Sequence, residues 1–108
     1  MRFLNLLVPC LDGWGVPEDS GIELARLAVQ SGVFPLYEVE DGVRYTLTGP
    51  PRTRAVREYL QAQRRYRGLA EADLRELESE VDEAWRRLAA KARMEVTAAS
   101  GTPAAQRA

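Results

Sequence analysis

The stretch VPCLDGWG, Val8 to Gly15, holds the side chains with the most chemistry to offer: the single cysteine, Cys10, the first tryptophan, Trp14, and two glycines within eight positions. A thiolate is both a nucleophile and a soft metal ligand. Cys10 is therefore open to three readings: a ligand, a nucleophile, or a small apolar residue at a turn. The sequence has no histidine, which removes the usual general base and the neutral nitrogen ligand. With one cysteine there is no CxxC pair, so a self-contained tetrahedral thiolate site or a complete iron–sulfur cluster is beyond this chain. On composition alone, a lone cysteine is better explained as a small hydrophobe.

The other chemical constellations are weaker. Asp12 serves as a general acid or base only if desolvated, and an aspartate before glycine is already explained by a turn. Glu38, Glu40 and Asp41 form a carboxylate cluster that strand alternation and a hairpin turn account for. DGWG lacks the spacing, hydroxyl and lysine of a phosphate loop. Tyr59 and Tyr66 among arginines have the ingredients of a stacking surface for nucleic acid. Their spacing with Val56 and Leu60 instead places them on a core stripe, so nucleic acid is not expected as a partner.

The elements that must position these residues follow from periodicity. Phe3 to Val8 reads as a short, mostly apolar amino-terminal strand ended by Pro9, which cannot donate the next ladder bond. Cys10 then stands just past a strand edge. Ser20 and Glu23 have capping-box spacing before the apolar-rich helix containing Ile22, Leu24, Leu27 and Ala28, with Gly32 as its terminator. Phe34–Val39 and Val43–Leu47 read as strands joined at Asp41-Gly42, with Tyr37, Val39, Val43, Tyr45 and Leu47 on one face. Thr53 is a plausible cap for a helix near Arg54–Tyr66 carrying Val56, Tyr59, Leu60, Gln63 and Tyr66. A longer helix from about Glu71 to Ala92 repeats Leu74, Leu77, Val81, Trp85, Leu88 and Ala92 at three- and four-residue spacing.

The fold expected is α+β: amino-terminal strand, helix, short hairpin and two carboxy-terminal helices. Residues 1–48 form a strand–helix–hairpin segment, 49–94 a helical arm or partner-packing segment, and 95–108 a flexible tail rich in small residues. Arginines between Arg52 and Arg67 precede an acidic run from Glu71 to Glu83, so an antiparallel helix pair would match opposite charges along its edge. An exposed ion pair contributes about 0.2–1 kcal/mol, against roughly 1.5–3 kcal/mol for burying a large apolar side chain. The apolar stripe should therefore govern docking, with charge biasing its orientation.

At 108 residues, 45% apolar and 29% charged, with a formal net charge of -1, the chain has the composition of one small folded domain. It has no global basic field for nucleic acid. Its opening, MRFLNLLVPCL, is interrupted by Asn5 and Pro9 and lacks a small-residue cleavage site. No apolar stretch reaches the roughly 20 residues of a bilayer-spanning helix, so no membrane partner is expected and a cytoplasmic location is the reading.

Taken together, VPCLDGWG, IELARLAVQSGVFPLYEVEDG and REYLQAQRRYRGL form a distinctive order. From about Phe3 through Leu88 the chain resembles the carboxy-terminal part of the beta subunit of pyruvate and related 2-oxoacid:ferredoxin oxidoreductases. The resemblance implies a fragment of a larger thiamine-diphosphate-binding fold. It also implies a role in oxidative decarboxylation of a 2-oxoacid, with electrons passing through iron–sulfur clusters to ferredoxin. By resemblance, Cys10 matches the final cysteine ligand of a cluster, and Gly13 and Trp14 match its neighbouring motif. Leu11 and Asp12 stand where that motif has a proline and commonly a threonine. The family's upstream cysteines and its acidic-glycine motif for metal and diphosphate have no counterpart, so neither cofactor site is complete here and both are expected only in an assembled complex. The partners implied are the missing amino-terminal portion of the beta subunit, an alpha subunit, and ferredoxin for the whole enzyme. The alternative is a stand-alone interaction or regulatory domain derived from that subunit, without catalysis.

Overall fold

The structure, a computed structural model, describes the backbone of residues 1–101 and the side chains of residues 1–93. Phe3–Val8 is not a strand, which corrects the expectation from its pattern. A strand exists only through hydrogen bonds to a neighbour, and among the described residues the one sheet is a hairpin further along the chain.

Beyond Pro9 the chain turns into helix sooner than expected. Leu11–Trp14 form a single helical turn, α1, and the Trp14 N–H donates to the Cys10 carbonyl over 2.9 Å. Gly15 ends this turn at φ 68°, and the Val16 N–H reaches back to the Leu11 carbonyl over 2.9 Å. That left-handed geometry is one glycine adopts without a Cβ penalty.

A 3₁₀ turn at Glu18–Ser20 leads into α2, Gly21–Ser31. The expected capping box is not formed: the Ser20 hydroxyl donates to the Asp19 carboxylate over 3.4 Å, and no side chain caps the helix. The preceding turn explains this. The Ser20 N–H is already committed to the Pro17 carbonyl, and its ψ of 1° departs from the extended backbone that aims a capping oxygen at the first turn. Gly32 terminates α2 as expected, its N–H donating to the Val29 carbonyl over 3.1 Å.

Strands β1, Tyr37–Glu40, and β2, Arg44–Leu47, pair antiparallel with Tyr37 opposite Leu47 and Val39 opposite Tyr45. Asp41 and Gly42 both have positive φ, 54° and 71°, the conformation an Asp-Gly hairpin turn requires. Val43 becomes a third loop residue, its N–H bonded to the Glu40 carbonyl over 3.1 Å, and so leaves the expected apolar face. The hairpin starts at Tyr37 rather than Phe34; Phe34 packs against the core instead. The Tyr37 and Tyr45 rings stack with centroids 6.1 Å apart.

The helix expected over 54–66 is broken. Helix α3 spans Val56–Gln61, and a 3₁₀ turn follows at Arg64–Tyr66. Thr53 is not its cap: the Glu58 carboxylate accepts the Ala55 N–H over 2.7 Å. Buried Gln63 causes the break. Its backbone N–H bonds to the Leu60 carbonyl, while its side-chain amide donates to the Tyr59 carbonyl over 2.9 Å, taking the acceptor that a continuing helix would use.

Helix α4 runs from Glu71 to Gly101, past residue 95 where the sequence pattern fades. The remainder of the tail expected there, residues 102–108, lies outside the described residues. The core forms where α2, α3 and the first turns of α4 meet, from Val16, Leu24, Ala28, Val56, Tyr59, Leu60 and Leu74. Leu77 and Val81 pack against it from α4. Further along α4, Trp85 donates from Nε1 to the Gly32 carbonyl over 2.7 Å, and the Lys91 Nζ lies 5.4 Å from the Tyr45 ring centroid. One long helix thus holds both the end of α2 and the hairpin.

Candidate functional site

Cys10 is exposed, which removes the buried-hydrophobe reading. It immediately precedes α1, so its position is set by the helical turn behind it rather than by a strand edge. An added Cβ on Gly13 would stand 3.0 Å from the Cys10 sulfur. Glycine at that position keeps the space beside the thiol open.

The turn is fixed from below by the 3₁₀ segment after α3. The Arg64 N–H donates to the Gly15 carbonyl over 3.3 Å. The Arg65 guanidinium carbon stands 4.2 Å from the Trp14 ring centroid and 4.6 Å from that of Tyr66, and its Nε donates to the Gln63 side-chain carbonyl over 2.8 Å. A planar cation held over aromatic rings is an orienting contact. Trp14 therefore has a visible structural task, docking the Cys10 turn onto residues 63–66. The sequence pattern set Gln63 on the apolar stripe of a helix near Arg54–Tyr66 and gave no sign that Gln63, Arg64 and Arg65 support the Cys10 turn. The only trace in the sequence was a polar Gln63 on an otherwise apolar stripe.

The remaining candidates separate from this turn. Asp12 is exposed on α1. Glu38 and Glu40 lie on β1 and Asp41 in the hairpin turn, where it pairs with Arg44 over 3.2 Å. Tyr59 is buried, which takes away the stacking surface its exposure would have offered. Charge matching between the arginine segment and α4 does form. Arg57 donates to Glu78 over 2.6 Å and pairs with Glu71 over 3.0 Å, and Arg52 reaches Asp82 over 3.0 Å. These hydrogen bonds from Arg57 hold the Glu78 carboxyl below the usual carboxylate range, against the opposing effect of desolvation.

Among the described residues no group of three or more His, Cys, Asp or Glu stands together to hold a metal ion. A single exposed thiol, Cys10, is not a complete ligand set for an iron–sulfur cluster. No helix among the described residues is long and apolar enough to cross a membrane.

No protein-family model matches the chain. By sequence it is similar to PorB subunits of pyruvate synthase and VorB subunits of ketoisovalerate oxidoreductase. It is 44% identical over 82 residues to the PorB subunit of pyruvate synthase from Methanocaldococcus jannaschii, a match covering 76% of this chain and 28% of that subunit. To the VorB subunit of ketoisovalerate oxidoreductase from Pyrococcus furiosus it is 39% identical over 89 residues, covering 80% of this chain and 28% of the relative. To the PorB subunit from Thermotoga maritima it is 42% identical over 92 residues, with the same coverage on both sides. The chain thus spans well under a third of the length of these relatives.

Proposed function

We propose that this chain works as one section of the beta subunit of a 2-oxoacid:ferredoxin oxidoreductase, assembled with the rest of that subunit and an alpha subunit. The assembly would decarboxylate pyruvate or a related 2-oxoacid oxidatively and pass the electrons to ferredoxin. The observation that carries this reading is the identity of about 40% to PorB and VorB subunits over about four fifths of the chain. The chain does not complete a catalytic site alone. It supplies a docked turn whose exposed Cys10 thiol is one ligand of an iron–sulfur cluster shared with the partner, while Gly13 leaves room at the sulfur and Trp14 fixes the turn. Thiamine diphosphate is held by the remainder of the assembly, where it supplies the carbanion-stabilising chemistry of decarboxylation.

Purifying the tagged chain from its native host and identifying what accompanies it by mass tests this. An accompanying oxidoreductase subunit, with iron and thiamine diphosphate in the complex, is the expected result. Cys10→Ala should lower the iron content of that complex while leaving its association intact. A partner-free monomer under mild conditions sinks the assignment, and unchanged iron in the variant sinks the ligand role. Association without iron or cofactor would favour the non-catalytic interaction domain.

A further inference from the structure

Arg65 is an exposed arginine with partners unlike those of its neighbours. Arg52, Arg54 and Arg57 each pair with a carboxylate, on Asp82, Glu58 and Glu78. Among the described residues no carboxylate pairs with Arg65. Its guanidinium carbon lies instead 4.2 Å from the Trp14 ring centroid and 4.6 Å from that of Tyr66, and its Nε donates to the Gln63 side-chain oxygen over 2.8 Å.

Gln63 gives that contact a direction. It is 1% exposed, and its side-chain nitrogen donates to the Tyr59 carbonyl over 2.9 Å. An amide turned the other way would set oxygen against carbonyl and nitrogen against the Arg65 donor, two mismatches. The Gln63 oxygen therefore has one place to point, and Arg65 Nε meets it there. A guanidinium held by Nε and laid over aromatic rings has its plane fixed as well as its position. An ammonium at the same place has neither Nε nor plane.

The Trp14 ring connects this guanidinium to the thiol turn. Helix α1 is a single turn, too short to hold its own shape in water. Leu11 and Trp14 pack against the core, and the Arg64 N–H reaches the Gly15 carbonyl over 3.3 Å. Apolar packing is non-directional, so it sets how deep the Trp14 ring sits and leaves its orientation to the cation over it. The Trp14 N–H donates to the Cys10 carbonyl over 2.9 Å, which passes that orientation to Cys10.

We infer that Arg65 is a positioning residue: its planar guanidinium, aimed by buried Gln63, acts through Trp14 to fix the orientation in which the turn presents the Cys10 thiol. The role is one of shape rather than charge. Its bearing on iron rests on the reading above of Cys10 as a ligand of a shared cluster, whereas the clamp rests on contacts within this chain.

Amide exchange on the free full chain reads the clamp without any cluster. Arg65→Lys keeps the charge and removes the planar fork, and Arg65→Gln removes both. In either variant the Trp14 and Val16 amides should exchange about 3- to 10-fold faster, with the Ala28 amide of α2 unchanged. In the complex isolated from the native host, either variant should release iron to a chelator roughly 10-fold faster. Natural exchange at Trp14 and Val16 overturns the clamp and leaves the subunit reading standing. Natural rates in Arg65→Lys with faster ones in Arg65→Gln assign the effect to charge and overturn the role of shape. Equal acceleration at Ala28 makes Arg65 a general stabiliser and overturns positioning. Faster exchange with unchanged iron release overturns the bearing on the cluster. A complex of the unaltered chain that holds no iron overturns the ligand reading and that bearing with it, and the exchange rates still decide the clamp.

Discussion

Gly15 is a position where one methyl group decides the local structure. Its φ of 68° costs a residue with a Cβ about 1–2 kcal/mol, and the added carbon would also collide with the Cβ of Arg64, an atom fixed to the backbone. Gly15→Ala should therefore lower stability by at least that amount, read from the urea midpoint, and should detach the Cys10 turn from residues 64–66. A fall in Trp14 quenching or a shift of its emission reports the detachment; an unchanged midpoint would mean that the turn is not held in this geometry. Trp85 presents a cleaner deletion. Trp85→Phe keeps an aromatic ring but removes the Nε1 donor to the Gly32 carbonyl, for an expected loss of about 1 kcal/mol. If the midpoint does not move, water replaces the indole donor and α4 is not tied to the end of α2 by this bond.

At the level of elements, the features legible in the sequence were those written as local chemistry. Asp41-Gly42 named its turn, Gly32 its helix end, and the Val56–Tyr59–Leu60–Gln63 spacing its buried face. The features that were not legible depend on distant partners or on competition. Ser20 loses its capping role because the 3₁₀ turn before it commits its backbone. Gln63 ends α3 because its side chain competes for the Tyr59 carbonyl. Phe3–Val8 has a strand's pattern, and among the described residues no strand pairs with it. The turn at Asp12-Gly13 was legible, but the support of Trp14 by Arg65 was not, since nothing local says that a 3₁₀ turn far along the chain will meet Trp14. Opposite charge along α3 and α4 was legible, and its pairing carries a pH prediction. The hydrogen bonds from Arg57 lower the Glu78 carboxyl from its ordinary value of 4.5, so the unfolded state takes up the proton first as pH falls. The stability from this pair is complete above that ordinary value and is lost as pH drops through the lower, folded-state value. Glu78→Gln should be less stable than the natural chain at pH 7, with the gap in urea midpoint closing as pH falls from the ordinary value of 4.5 through the lower, folded-state one. Glu58 and Glu83, lowered by Arg54 and Arg86, remain in both proteins and keep a residual slope. Parallel midpoint curves would show that Arg57 and Glu78 are not coupled.

For the molecule as a whole, the described residues include eleven large apolar side chains that are exposed and seven apolar side chains that are buried. In a self-sufficient domain the balance of energetic importance follows burial, so a substitution harmful to the assembly is harmful to the free fold as well. Here the two are separable at Leu4 and Leu6, which are exposed, whereas Leu7 of the same run packs against the core. Leu4→Ser combined with Leu6→Ser removes two large side chains that are mostly in water already. Surface substitutions of that kind change stability by about 0.5 kcal/mol or less, so the urea midpoint of the free chain should stay close to the natural value. If the run is covered in the proposed assembly, the same pair of changes would place two hydroxyls in an apolar contact, each needing a hydrogen-bond partner there. Assembly should then be lost, seen as the free chain sedimenting alone while the unaltered chain sediments with its partner. Hydrophobic dye bound by the free chain should fall in the variant, because the patch it reports has been made polar. A variant that destabilises the free chain strongly would place Leu4 and Leu6 in this chain's own core, and one that assembles normally would show that the run lies outside the interface.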